Sequence, residues 1–160
     1  MPFIAKAWAR SIMRTSQRKQ KTNTAKQLVS WKPPPPGWLK LNTDGAVLPS
    51  SMEASSGGVI RNANGEWIKG YTRSIGCTTV LQSELWAILE GLHFAWEMGH
   101  NFIVESNSAS AVHILNSNAT PHDSAIVQRI RSYTDLHWNM FPELRTASRT
   151  RRRASIVAQL

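Results

Sequence analysis

The sequence predicts a mixed α/β domain, a five-stranded sheet flanked by helices, and three observations carry that reading. In Trp38 to Ala46 polar and apolar residues alternate, with Leu39, Leu41 and Thr43 on one face, as in a half-buried strand. Val59-Ile60-Arg61 and Glu66 to Ile75 flank Asn62-Ala63-Asn64-Gly65, whose Asn-Gly step tolerates the positive φ of a tight hairpin turn. Thr79 to Gly99 repeats apolar residues at Leu81, Leu85, Ile88, Leu92 and Ala95, with Leu89 and Trp96 widening the stripe, the period of an amphipathic helix.

The remaining elements follow in order. Pro33-Pro34-Pro35-Pro36 is a stiff polyproline spacer, and Gly37 releases the chain into the first strand. Gly57 and Gly58 begin the first hairpin arm. Thr79 can cap the long helix, and Gly99 supplies a left-handed stop. Phe102-Ile103-Val104 reads as a short strand, and Ser108 to Asn116 as a helix with Ala111, Val112 and Leu115 inward. Pro121 is expected to start a third helix with Ile126, Ile130 and Tyr133 on one face, and Trp138 to begin the last strand. The first three strands can pair antiparallel, and a strand after a helix can join in parallel. The expected organisation is a basic segment over 1–30, a proline-rich linker over 31–37, the domain over 38–141, and an arginine-rich tail over 142–160.

The chain carries a net charge of +9, unevenly placed. Residues 1–40 hold nine basic side chains and residues 145–160 five, neither with an acid, whereas the stretch between holds five basic residues against all ten acids. The ends could therefore hold polyphosphate without specificity, or be solvated tails; the balance does not predict a basic groove on the domain. No apolar run approaches the roughly 20 residues of a membrane span. The stretch Ile4 to Met13 is acid-free and weakly amphipathic, and reads as an organelle transit peptide or as the end of a longer helix. A single cysteine, Cys77, excludes an internal disulfide and reads as a small residue filling space beside a strand. An intracellular setting, nucleus or cytoplasm, fits that usage.

Two carboxylates stand out. Asp44 ends a strand, in Leu41-Asn-Thr-Asp-Gly45, and Glu84 sits at the margin of the helical apolar stripe. Acids are expensive to bury unpaired, and two from distant segments at the core boundary are what a hard divalent ion needs. Read singly, a strand-end Asp is a turn residue and a helix-margin Glu reaches for water.

Four collinear motifs carry a resemblance. Trp38-Leu-Lys-Leu-Asn-Thr-Asp-Gly-Ala46, Gly57-Gly-Val-Ile-Arg-Asn-Ala-Asn-Gly65, Gln82-Ser-Glu-Leu-Trp-Ala-Ile-Leu-Glu-Gly91 and Ile103-Val-Glu-Ser-Asn-Ser108 resemble the plant ribonuclease H-like family, related to type-1 ribonuclease H and to the tail of non-LTR retrotransposon reverse transcriptases. The resemblance implies a ribonuclease H-like fold and Mg2+-dependent hydrolysis of the RNA strand in RNA–DNA hybrids, with four carboxylates holding two ions. It makes Asp44 the carboxylate shared by both ions and Glu84 the helix carboxylate, on the side of the RNA 2′-hydroxyl. The family's third acid belongs to an Asp-Ser pair that here reads Asn107-Ser108, which removes a negative charge. Glu105, two residues earlier, could share a strand face with Asn107.

The fourth acid is missing. Where the family shows a late His, Tyr-Arg-Glu and Ala-Asp, residues 141–160 are arginine-rich and acid-free after Glu143, which suggests an out-of-frame ending, an atypical or missing last helix, or a basic tail for nucleic acid. His93, His100, His113, His122 and His137 have no metal-ligand spacing, Trp67, Trp86 and Trp96 fall within regular elements and read as core rather than as base-stacking platforms, and Glu66 and Lys69 read as solvated. The expectation is a monomeric nucleic-acid-binding domain, for RNA–DNA hybrid or single strands and not for membranes. Its ribonuclease activity is expected to be impaired by Asn107 and by the loss of the last carboxylate; the alternatives are an inactive binding module and a retroelement remnant without function.

Overall fold

In the first strand, β1 (Trp38–Val47), the alternation works as the sequence predicts: Leu39, Leu41 and Thr43 are buried. β2 (Glu53–Arg61) and β3 (Trp67–Cys77) follow. The turn between them is tied by Asn62, whose side-chain oxygen accepts the backbone N–H groups of Asn64 and Glu66 at 3.0 Å each. Gly65 sits at φ +80°, the conformation that the Asn-Gly step was read for. The coordinates are a computed structural model that describes residues 31–135 and 154–158.

Helix α1 (Val80–Glu97) starts where Thr79 accepts the Gln82 N–H at 3.2 Å and ends at Gly99, φ +73°. β4 (Asn101–Ser106) leads into α2 (Ala109–Asn116), capped by Ser108. Pro121 does not start the third helix. It lies in a turn closed by Asp123, which accepts from Thr120, and α3 runs Ala125–Asp135 with Val127 and Ile130 as its buried residues. Arg131 of α3 donates to the carbonyl oxygens of Ser117 and Ile114 at 2.5 and 2.7 Å and pairs with Asp123, fastening α3 to the end of α2.

The sheet has five strands in the order β3-β2-β1-β4-β5. β1 pairs antiparallel with β2 and parallel with β4, and β2 pairs antiparallel with β3. The last strand is not the one expected. A strand beginning at Trp138 lies outside the described residues, and the strand that pairs in parallel with β4 is β5 (Ala154–Ala158), inside the stretch read as a tail. The compact unit of Pro33–Gln159 therefore extends past residue 141.

The core lies between one sheet face and the helices, built from Leu41 and Ile60, Leu85, Ile88 and Leu92, Val104, Ile130 and Ile156. Each fully buried aliphatic side chain contributes roughly 1.5–3 kcal/mol. Tyr71 also reaches this side, its hydroxyl donating to the Ala87 carbonyl, and a side chain at Gly58 or Gly91 would occupy its place.

Candidate metal centre

Alternation along β1 sets the site. With Leu39, Leu41 and Thr43 buried and the two leucines packed in the helix-side core, Lys40, Asn42 and Asp44 lie on the other face. β1 and β4 run in parallel, and Thr43 pairs with Ser106. The next residue of each, Asp44 and Asn107, therefore emerges beside the other, and Asn107 Nδ2 donates to Asp44 Oδ1 at 3.3 Å.

Glu84 arrives from the helix because Gly45 permits it. A Cβ on Gly45 would lie 2.5 Å from the Glu84 nitrogen and 2.6 Å from Ser83 Oγ, so only glycine lets the first turn of α1 close on β1. The Gly45 N–H then donates to Glu84 Oε2 at 3.1 Å. The three residues singled out in the sequence thus meet at one end of the sheet.

Glu84 is buried more deeply than a helix-margin reading implies, at 5% exposure. Burial first, and the Asp44 charge second, push its carboxyl up to about 7 against the pull of the Gly45 N–H. Burial also raises Asp44, offset in part by the hydrogen bonds from Asn107 and Gly45. Two carboxylates held together against desolvation and, at Glu84, the charge of its neighbour form a centre that a cation would relieve.

Glu105 does not complete it. Lys40 Nζ holds its Oε1 at 2.5 Å and Asn42 Nδ2 its Oε2 at 2.8 Å, while Arg61 donates to Asn42 Oδ1 at 3.5 Å. Lys40, counted in the sequence with the basic N-terminal stretch, is 4% exposed within the sheet. Among the described residues no group of three His, Cys, Asp or Glu could hold a metal ion. The donor set is two carboxylates and one amide carbonyl. That set suits one hard divalent ion with water in its other positions, and carries too little negative charge for two.

Other side chains depart from expectation. Trp67 is exposed rather than core, Lys69 Nζ sits 3.8 Å over the Phe94 ring rather than free in water, and Cys77 is exposed rather than filling space. His93 bonds Tyr133 at 3.0 Å, and His137 lies outside the described residues. The sequence reading missed Gly45 as donor and spacer, and the Lys40–Asn42–Glu105 network. The alternation Lys40, Asn42, Asp44 was the available signal that these side chains share the carboxylate face.

Comparison with known proteins agrees with this architecture. Residues 42–154 match the reverse transcriptase-like family. A protein of Arabidopsis thaliana named after ribonuclease H is 44% identical over 71 residues, 44% of this chain and 12% of that protein, so the chain spans a small part of its relative's length. The ribonuclease H1 of Halobacterium salinarum superposes with a TM-score of 0.59 at 18% identity, covering 77% of this chain and 86% of that one. The N-terminal ribonuclease H domain of Rv2228c from Mycobacterium tuberculosis gives 0.60 at 16%, covering 76% and 81%. LC11 ribonuclease H1 in complex with an RNA/DNA hybrid gives 0.57 at 17%, covering 76% and 84%. The family match across most of the chain, on a sheet with this strand order, makes the protein a member of the reverse transcriptase-like family with a ribonuclease H-like domain.

Proposed function

We propose that the domain binds RNA–DNA hybrid and hydrolyses its RNA strand weakly, with one Mg2+ held by Asp44 and Glu84. The observation that carries this reading is the convergence of Asp44, Glu84 and Asn107, tied through the Gly45 N–H and the Asn107 amide. A solved relative of the same fold holds such a hybrid. A divalent ion at this position supplies Lewis acidity toward a phosphodiester. Asp44 and Glu84 supply the two negative charges that hold it, and Gly45 fixes the Glu84 carboxylate through its N–H. Asn107 keeps the shape of a carboxylate but contributes no charge, and this weakens both ion binding and turnover.

A second reading, a binding module without hydrolysis, has one observation in its favour: the Asn107 amide places a donor against the Asp44 oxygen that a metal would need. Cleavage of a labelled RNA–DNA hybrid in Mg2+ or Mn2+ separates the two. The first reading expects slow cleavage by the natural chain, loss on Asp44→Asn, and an increase of roughly tenfold or more on Asn107→Asp. Salt-dependent hybrid binding with no cleavage in any of these proteins supports the second. Cleavage that survives Asp44→Asn unchanged contradicts the first reading.

A further inference from the structure

Trp67 opens an edge strand and stays 57% exposed, although a tryptophan left in water forgoes a large burial gain. Its position follows from a one-residue irregularity. Ile60 pairs with Lys69, and both face the helices, Ile60 in the core and Lys69 over Phe94. The next residue, Arg61, pairs with Trp67 and skips Ile68. Regular pairing would put Trp67 with Lys69, Tyr71 and Arg73 on the helix side. The bulge instead turns Trp67 to the face of Arg61, Lys40, Asn42 and Asp44.

The ring is also placed. A Cβ on Gly70 would collide with Cζ2 of Trp67, with Cη2 and Cε2 next nearest at 3.1 and 3.3 Å. The edge of the indole thus rests where a side chain at residue 70 would begin, and any larger residue there would push it away. Arg61 brings a guanidinium to the same face and reaches Asn42, on the way to Asp44. Asp44 lies four strand residues, about 13 Å, along β1 from the Lys40–Arg61 pair, and Trp67 lies two strands, about 10 Å, across from β1, so the two are about 16 Å apart. A stacked nucleic-acid strand covers that in about five nucleotides at roughly 3.4 Å each.

We infer that Trp67, turned by the bulge and seated on Gly70, is a stacking contact for an unpaired base of a nucleic-acid strand that runs across this sheet face toward Asp44. An exposed aromatic ring on a face that also carries a guanidinium accepts any base, so the contact is for single-stranded segments and not for a particular sequence. The inference rests on the nucleic-acid reading of the carboxylate site and extends it to a second contact.

The test is fluorescence anisotropy with the full chain at fixed low salt, using labelled oligo(dT), a blunt RNA–DNA hybrid, and the same hybrid with a single-stranded overhang. Trp67→Ala is expected to weaken binding of oligo(dT) and of the overhang substrate by roughly tenfold or more, with a smaller effect on the blunt hybrid. Trp67→Phe should keep most of the affinity, and Gly70→Val should mimic the alanine variant while thermal unfolding shows both still folded. Equal binding of oligo(dT) by the natural chain, Trp67→Ala and Gly70→Val overturns the inference and leaves the carboxylate site standing. If the natural chain binds none of the three probes, the nucleic-acid reading fails and takes this contact with it. If Trp67→Ala leaves binding intact but abolishes self-association in sedimentation, the residue is a protein contact and the inference is overturned.

Discussion

Gly45 is the residue on which the geometry of the site turns, because it alone lets α1 approach β1 closely enough for Glu84 to take its N–H. Gly45→Ala should cost about 1–3 kcal/mol in urea denaturation through overpacking, and should separate Glu84 from β1. Glu84 itself makes stability depend on pH. Its carboxyl lies near its ordinary 4.5 in the unfolded chain and at about 7 in the folded one. The folded state thus binds the proton more tightly, so this contribution is fully present below about pH 4.5 and is lost as pH rises through 7. Metal-free protein is expected to melt several degrees lower at pH 8 than at pH 5, a difference on the order of 2 kcal/mol that Glu84→Gln should largely remove. A flat melting temperature across that range in the natural chain contradicts the assignment. Asp44 and Glu84 were legible in the sequence because a strand-end Asp before glycine and a Glu beside an apolar stripe are local patterns. The Lys40–Glu105 pair was not, since it depends on the parallel register of segments 65 residues apart.

Among the elements, those with a strong period and a cap were read correctly: α1 from Thr79 to Gly99, α2 from Ser108, and the hairpin turn at Asn62 to Gly65. Reading failed where a tertiary contact decides. β2 begins at Glu53, four residues before Gly57, because the strands on either side of it supply partners that its own sequence does not announce. Trp67 was read as core because it falls within a regular element, and a single bulge turns it to the other face. The start of α3 was misplaced because Pro121 suits a first helical turn, whereas Asp123 tethers it in a preceding turn held by Arg131. Arg131→Ala should therefore cost about 1–3 kcal/mol, as the carbonyls of Ile114 and Ser117 lose their donor, and amide exchange should rise first in α2 and α3.

For the molecule as a whole, the sheet order and the helix-side core define a ribonuclease H-like domain, and under the proposed function the two charges of Asp44 and Glu84 would set how tightly it holds a cation. The C-terminal stretch contributes more than the composition suggested, since β5 closes one edge of the sheet and Ile156 enters the core. Removing residues 142–160 should abolish cooperative unfolding or lower the melting temperature by more than any single core substitution, and Ile156→Asp should reproduce much of that loss. An unchanged melting curve after the truncation would show that β5 adds nothing to the fold. The account depends most on Asp44 and Glu84 acting together on a cation. Mn2+ titration followed by electron paramagnetic resonance reads this directly at pH 8. One bound ion per chain in the natural protein, lost in Asp44→Asn and in Glu84→Gln, is the predicted result; no saturable Mn2+ binding, or binding that both variants retain, would contradict it.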